Sequence, residues 1–131
     1  MPTEIKRAIR TADAWTADQA AMEALYGVGG YHTSISAFIT WAQANYPNLV
    51  TSDVQLTAVC YDDWPSGLSE MITVSGITAD ATRYLLFTVA EGNRHNGTPR
   101  TGFYVTWESG TQRVINISVP YCRFQWFDVY A

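Results

Sequence analysis

VQLTAVC, Val54–Cys60, is followed by the polar, turn-forming YDDWPSGLSE of Tyr61–Glu70 and then by MITV, Met71–Val74. The same alternation of an apolar run with a stretch rich in Gly, Pro, Asp, Asn or Ser continues through Tyr84–Val89, Phe103–Trp107, Val114–Val119 and Arg123–Tyr130. Each run is four to eight residues long and dominated by β-branched, Leu and aromatic residues. Runs so short and so regularly punctuated predict strands rather than a row of helices. In the first of them Val54, Leu56, Ala58 and Cys60 share one face and Gln55 and Thr57 the other, so one face is expected to be buried. The spacing alone leaves two arrangements open: hairpins in an antiparallel β-sandwich, or strands that follow one another around a coil.

Outward from this region, the first 50 residues read differently. Glu4–Thr11 alternates Ile5, Arg7 and Ile9 with Lys6, Ala8 and Arg10, which predicts a short amphipathic strand suited to a sheet edge. Thr16 or Asp18 can cap a helix through Ala20, Met22, Glu23 and Leu25 that stops at Gly27, and Gly27–Gly30 then serves as a joint. From Thr33 or Ser34 a second helix is predicted to run to about Tyr46. It carries Ile35, Phe38, Ile39, Ala42 and Tyr46 on one stripe, and Pro47 ends it. In the β-rich part, Asp62–Gly67, Ser75-Gly76 and Ala79–Thr82 read as turns. The longest connection, Ala90–Thr101, reads as a surface loop holding the tight-turn pair Asn96-Gly97.

With 131 residues the chain fits one domain, with residues 1–50 as an N-terminal strand and helices and 51–131 as the β-rich region. Aromatic residues make up 14% and charged residues 15% of the sequence, the latter well below the roughly 25% of an ordinary soluble domain. This balance points to buried or adhesive surface. The net charge of −4, with the basic residues scattered, argues against nucleic acid as a partner. No apolar run is long enough to enter a membrane as a helix, and the charged N-terminus is followed by no signal-peptide core, so synthesis in the cytoplasm is expected. Cys60 and Cys122 stand 62 residues apart, form no CxxC motif, and read as free thiols.

Three blocks taken in order carry a resemblance: Cys60-Tyr-Asp-Asp-Trp-Pro-Ser-Gly-Leu68, Val74-Ser-Gly-Ile-Thr-Ala-Asp-Ala-Thr-Arg-Tyr84 and Arg94-His-Asn-Gly-Thr-Pro-Arg-Thr-Gly-Phe103. Together they resemble the opening, capping segment of right-handed parallel β-helix proteins of phage and environmental-virus type. The resemblance implies a mainly β fold with N-terminal helices, in which a short right-handed parallel β-helix-like coil stack is capped by the Thr33–Tyr46 helix. Two features depart from it: an extra helix within Asp13–Gly30, and a chain that stops at Ala131 where relatives continue for many coils. The role it implies is a virion part such as a capsid decoration, a neck or tail protein or a fibre base. A carbohydrate-binding module or depolymerase fragment is the alternative.

Candidate chemistry is sparse. His95, with Asp62 and Asp63 as carboxylates, has the residue types of an acid–base site. All three lie in turn-forming stretches, where such residues bond their own backbone, and the structural reading is preferred. His32, His95 and the two cysteines have no zinc-ligand spacing. No enzyme activity, cofactor or metal is therefore expected. The interaction surface is instead placed on the final run, at Phe124, Trp126, Phe127, Val129 and Tyr130. Read as one strand, that run presents apolar residues on both faces, which cannot all enter one core. The expected partners are a second copy of the chain, as a homo-oligomer and on the resemblance a trimer, and other virion proteins. A host surface glycan is a further candidate, and the expected location is the virion.

Overall fold

The computed structural model describes residues 2–98, 100–106 and 114–130. Trp107 and the Ser109-Gly110 turn lie outside the described residues, as does the side chain of Tyr130. The chain is mixed α/β with about a third of it in strands, so the expectation of a mainly β protein gives the helices too little weight.

β1 (Thr3–Ile9) leads into α1 (Ala12–Ala17) and α2 (Gln19–Tyr26). α1 is additional to the predicted helix and is capped by Thr11, whose side chain accepts the Ala14 N–H at 3.2 Å, satisfying one of the first-turn donors. The predicted helix is α2, with Asp18 at its N-cap position. α1 breaks at Asp18, and α2 stops at Gly27. After β2 (Tyr31–His32), α3 (Ile35–Asn45) is capped by the Ser34 side chain on the Ala37 N–H. Its buried stripe of Ile35, Phe38, Ile39 and Ala42 is the predicted one except for Tyr46, which caps the end of the helix and is only partly buried. The short α4 (Leu49–Ser52) then delivers the chain to β3 (Val54–Cys60).

Seven further strands follow: β4 (Leu68–Ser69), β5 (Ile72–Val74), β6 (Leu85–Val89), β7 (Tyr104–Thr106), β8 (Ile115–Ile117), β9 (Cys122–Phe124) and β10 (Asp128–Tyr130). They form three sheets with orders β2-β1-β3-β6-β9, β10-β7-β4 and β5-β8. Every ladder among the described residues is parallel, which overturns the antiparallel sandwich. From β3 onward the chain visits the sheets in one fixed order: β3, β4, β5, then β6, β7, β8, then β9, β10. No hairpin occurs among the described residues, because from β3 onward each paired strand meets the strand three places later, as in Leu56 with Leu85 and Leu85 with Cys122.

β1 is an interior strand, not the edge that its charges suggest, since β2 flanks it on one side and β3 on the other. The main core lies between the three sheets and α3. There Phe38 meets Phe87 edge-on at 5.7 Å, both rings being fully buried along with Ile35, Leu56, Ile72, Leu85 and Val105. Each such side chain contributes about 1.5–3 kcal/mol of burial. The opposite face of β1 and β3 is covered as well. Ala8, Trp15, Met22 and Tyr61 form a second core with Val59 packed against it, and Trp15 stacks on Tyr31 at 4.7 Å. The predicted face of Val54–Cys60, Val54, Leu56, Ala58 and Cys60, is buried, and the other face is partly covered too, Thr57 being inaccessible.

Candidate functional site

The final apolar run is not one strand. β9 ends at Phe124 and β10 begins at Asp128, and between them Trp126 adopts φ 64°, a left-handed conformation that an aromatic residue seldom takes. The bend, not a two-faced strand, breaks the alternation, and it sorts the aromatic side chains. Phe124 turns inward and stacks on Phe87 at 4.7 Å, nearly coplanar at 12°. Phe127 also turns inward, meeting Phe124 edge-on at 5.0 Å and Phe103 at 5.5 Å. Both rings remain half-buried at the margin of the main core. Trp126 and Val129 face outward, 48% and 43% exposed. β9 and β10 each have a partner on one side only among the described residues.

Trp126 is held against the long loop. The Arg94 guanidinium lies 4.7 Å from its ring centre while Arg94 Nε–H donates to the Val89 carbonyl at 2.9 Å. The His95 ring sits tilted beside Trp126 at 6.1 Å. The loop is internally bonded: Asn96 Oδ1 accepts from the Thr98 N–H at 3.0 Å and from the Thr101 hydroxyl at 2.9 Å. His95 Nδ1 accepts the Gly97 N–H at 3.2 Å, and Asp128 Oδ2 accepts the Arg100 N–H at 2.7 Å. Gly102 lets the loop close on itself, because a Cβ there would come within 2.6 Å of the Asn93 carbonyl oxygen and the His95 nitrogen. Between loop and β10 lies an open pocket of about 190 Å³ lined by His95, Gly97, Thr98, Phe127 and Asp128. Asp128 and Thr98 have no local sequence signal. Asp128 reaches the loop only because β10 pairs with β7.

The carboxylates proposed beside His95 are elsewhere. Asp63 takes Arg10 in a two-pronged bond, at 3.0 and 3.1 Å, and also accepts the Thr11 N–H. The Asp62 carboxyl is raised from its ordinary value, by burial first and then by the Asp63 charge. Neither lines the His95 pocket. His32 is packed between Phe38 and Trp41, and its Nε2 accepts Arg7 Nε–H at 3.1 Å. Burial, and then the Arg7 charge, lower its pKa to about 4. Among the described residues no three His, Cys, Asp or Glu side chains cluster as metal ligands. Both cysteines are free. Cys60 on β3 and Cys122 on β9 are separated by β6, opposite Val89 and Leu85 on it, so they lie more than about 10 Å apart, too far for a disulfide. Burial pushes the Cys122 thiol up to about 12.

A second hollow, about 580 Å³, lies beside the end of α2 and is lined by Lys6, Leu25, Tyr26, Tyr61, Glu91 and Arg94 among others. Its tyrosine hydroxyls bond one another at 2.8 Å. No helix among the described residues is long and apolar enough to cross a membrane. The chain matches no family model, no curated protein and no solved structure.

Proposed function

We propose that the chain is a short right-handed parallel β-helix, capped by α3, which serves as a structural component of a phage particle through protein–protein contacts rather than as an enzyme. The observation that carries the protein-contact reading is the pair of exposed apolar side chains, Trp126 and Val129, beside the one-sided strands β9 and β10. A sheet edge next to apolar side chains is a template for pairing with another chain. The fixed order in which the strands enter three parallel sheets supports the coil-stack reading. The handedness follows the general rule for parallel crossovers.

The occupant of this face is a second copy of the chain. α3 packs against β1, β2 and β5, so the far side of the stack is covered and head-to-tail growth into a fibre is blocked. The open faces then meet one another in a closed homo-oligomer, for which the family resemblance suggests a trimer. Trp126 and Val129 form the exposed part of the contact, with Phe124 and Phe127 behind them. The same resemblance is what points to the virion as the setting.

Light scattering of the purified chain beside Val129→Glu tests the contact, and mass spectrometry of purified particles tests the setting. The expected results are an oligomer that the substitution dissociates, and the chain present in stoichiometric amount in particles. A wild-type chain that is monomeric at high micromolar concentration and absent from particles would sink the proposal.

A further inference from the structure

The described lining of the hollow beside the end of α2 includes no residue of β9 or β10, and its chemistry defines a ligand of its own. We infer that it binds a small amphipathic carboxylate, an organic acid with one carboxylate on a compact apolar body. The base of the hollow is the outer face of the main sheet, where Val59 on β3 and Thr88 on β6 are neighbours in the ladder. Its wall is the end of α2, with Leu25 and Tyr26. At about 580 Å³ it lies within the size range of small-molecule sites. Leu25 is 63% exposed, so the chain's own packing leaves apolar surface open at this wall. That surface, with Val59 and the tyrosine rings, is the part of the lining that receives an apolar body.

The polar part of the lining selects a negatively charged acceptor. The Tyr26 and Tyr61 hydroxyls bond one another at 2.8 Å. Whichever of them donates, the second O–H proton has no acceptor among the described residues. Tyr61 is only 9% exposed, and an unpaired donor at so buried a position calls for a partner from outside the chain. Burial, and then the bond to Tyr61, raise the Tyr26 phenol above its ordinary pKa, so the pair keeps its spare proton. Two cations, Lys6 and Arg94, share the lining with one carboxylate, Glu91. Arg10, which lies over the Tyr61 ring, is already matched by Asp63. Lys6 has only Glu4, at 3.6 Å with both side chains nearly half exposed, an ion pair too weak to withhold it from a ligand. Arg94 is fixed by the Val89 carbonyl and pairs with no carboxylate among the described residues. A carboxylate accepts the spare phenol proton and offsets the surplus positive charge. Glu91 works against a second negative group on the same ligand.

The test is protein-observed NMR with the sodium salts of phenylacetate, naphthoate and octanoate, each beside its corresponding alcohol. At least one acid should shift the Tyr26 and Tyr61 ring signals saturably, with sub-millimolar affinity, and its alcohol should bind about tenfold or more weakly. Lys6→Met should remove most of that preference for acid over alcohol. Tyr26→Phe combined with Tyr61→Phe should weaken the acid about tenfold or more, while Val50→Ser, on α4, should leave binding unchanged. One-dimensional spectra check that each variant is folded, and Lys6→Met, at an exposed side chain, keeps the test decisive if the tyrosine changes disturb the second core. Absence of a saturable shift with all three acids overturns the inference. An alcohol that binds as tightly as its acid overturns it too, as does acid binding that Lys6→Met leaves unaltered. Binding is read at the tyrosine rings of each subunit, so the result stands apart from the contact at Val129.

Discussion

Glu70 and Ile35 are joined across half the N-terminal chain: the Glu70 carboxylate, from the corner between β4 and β5, accepts the Ile35 backbone N–H at 2.7 Å. The same side chain takes the Ser36 N–H at 3.0 Å and the Ser36 hydroxyl at 2.5 Å. A negative charge therefore sits on the open donors at the start of α3, where the helix dipole favours it. At the far end of the helix Gln43 Nε2–H donates to the Ser75 carbonyl at 2.8 Å. Together these bonds tie α3 to both flanks of β5. Replacing Glu70 by Ala should cost about 2–3 kcal/mol in urea unfolding, since it leaves buried donors unpaired. Removal of residues 1–50 should give insoluble protein, because it exposes the core that α3 covers.

Asp63 predicts a different signature. Its side chain and that of Arg10 are only 8% and 15% exposed, and the guanidinium also lies 4.2 Å over the Tyr61 ring. Asp63→Ala should lower stability by about 3 kcal/mol, because it strands a charge in a dry site. Combining it with Arg10→Met should recover much of that loss. A double-mutant cycle read by denaturant unfolding measures the coupling. If Asp63 acted in catalysis instead, the double variant would be as stable as the wild type and the single variant would show no deficit.

His32 makes stability depend on pH. Its folded pKa of about 4 lies below the unfolded value of about 6.5, so the unfolded chain binds the extra proton between the two. Stability from this group is fully present above about pH 6.5 and is lost as pH falls toward 4. The ring is partly exposed, so the loss should be about 1–2 kcal/mol rather than the full linkage value. Thermal unfolding of wild type and His32→Phe across pH 4–7 checks it: the gap between them should change with pH in that window and be flat above it.

Gly97 holds φ 93° with open space where a side chain would stand. The cost of a β-branched residue there is purely one of backbone conformation. Gly97→Val should lower stability by about 1 kcal/mol or more. His95→Ala, which removes one exposed acceptor, should change it by less than about 0.5 kcal/mol. Paired urea titrations of the two variants separate backbone strain from side-chain contact.

Much of the local structure is legible in the sequence because its causes are local. Val54–Cys60 is a strand with the predicted bounds, and the α3 stripe is buried as its spacing requires. A run of alternating or β-branched residues reports its own conformation. The two-residue strands Tyr31–His32 and Leu68–Ser69 are too short to show a period, and they exist because a neighbouring strand supplies the ladder. The final run misled for the opposite reason. Its aromatic residues look two-faced in a straight strand, and only a bend at Trp126 lets Phe124 and Phe127 enter one core together.

The sequence by itself determined where the longer strands and the two main helices form, that they alternate with turns, and that too much apolar surface is present for an ordinary charged exterior. Tertiary structure alone decided that the ladders are parallel, since a strand carries no mark of its partner's direction and the pairing residues lie a full circuit apart. It likewise decided the fate of the charged side chains. Asp63 is drawn into an ion pair by Arg10, 53 residues away, and Asp128 is carried to the His95 loop by the pairing of β10 with β7. Hydrogen bonds and ion pairs act over a few ångströms of space whatever their separation along the chain, so the site became visible only once folding had set those distances.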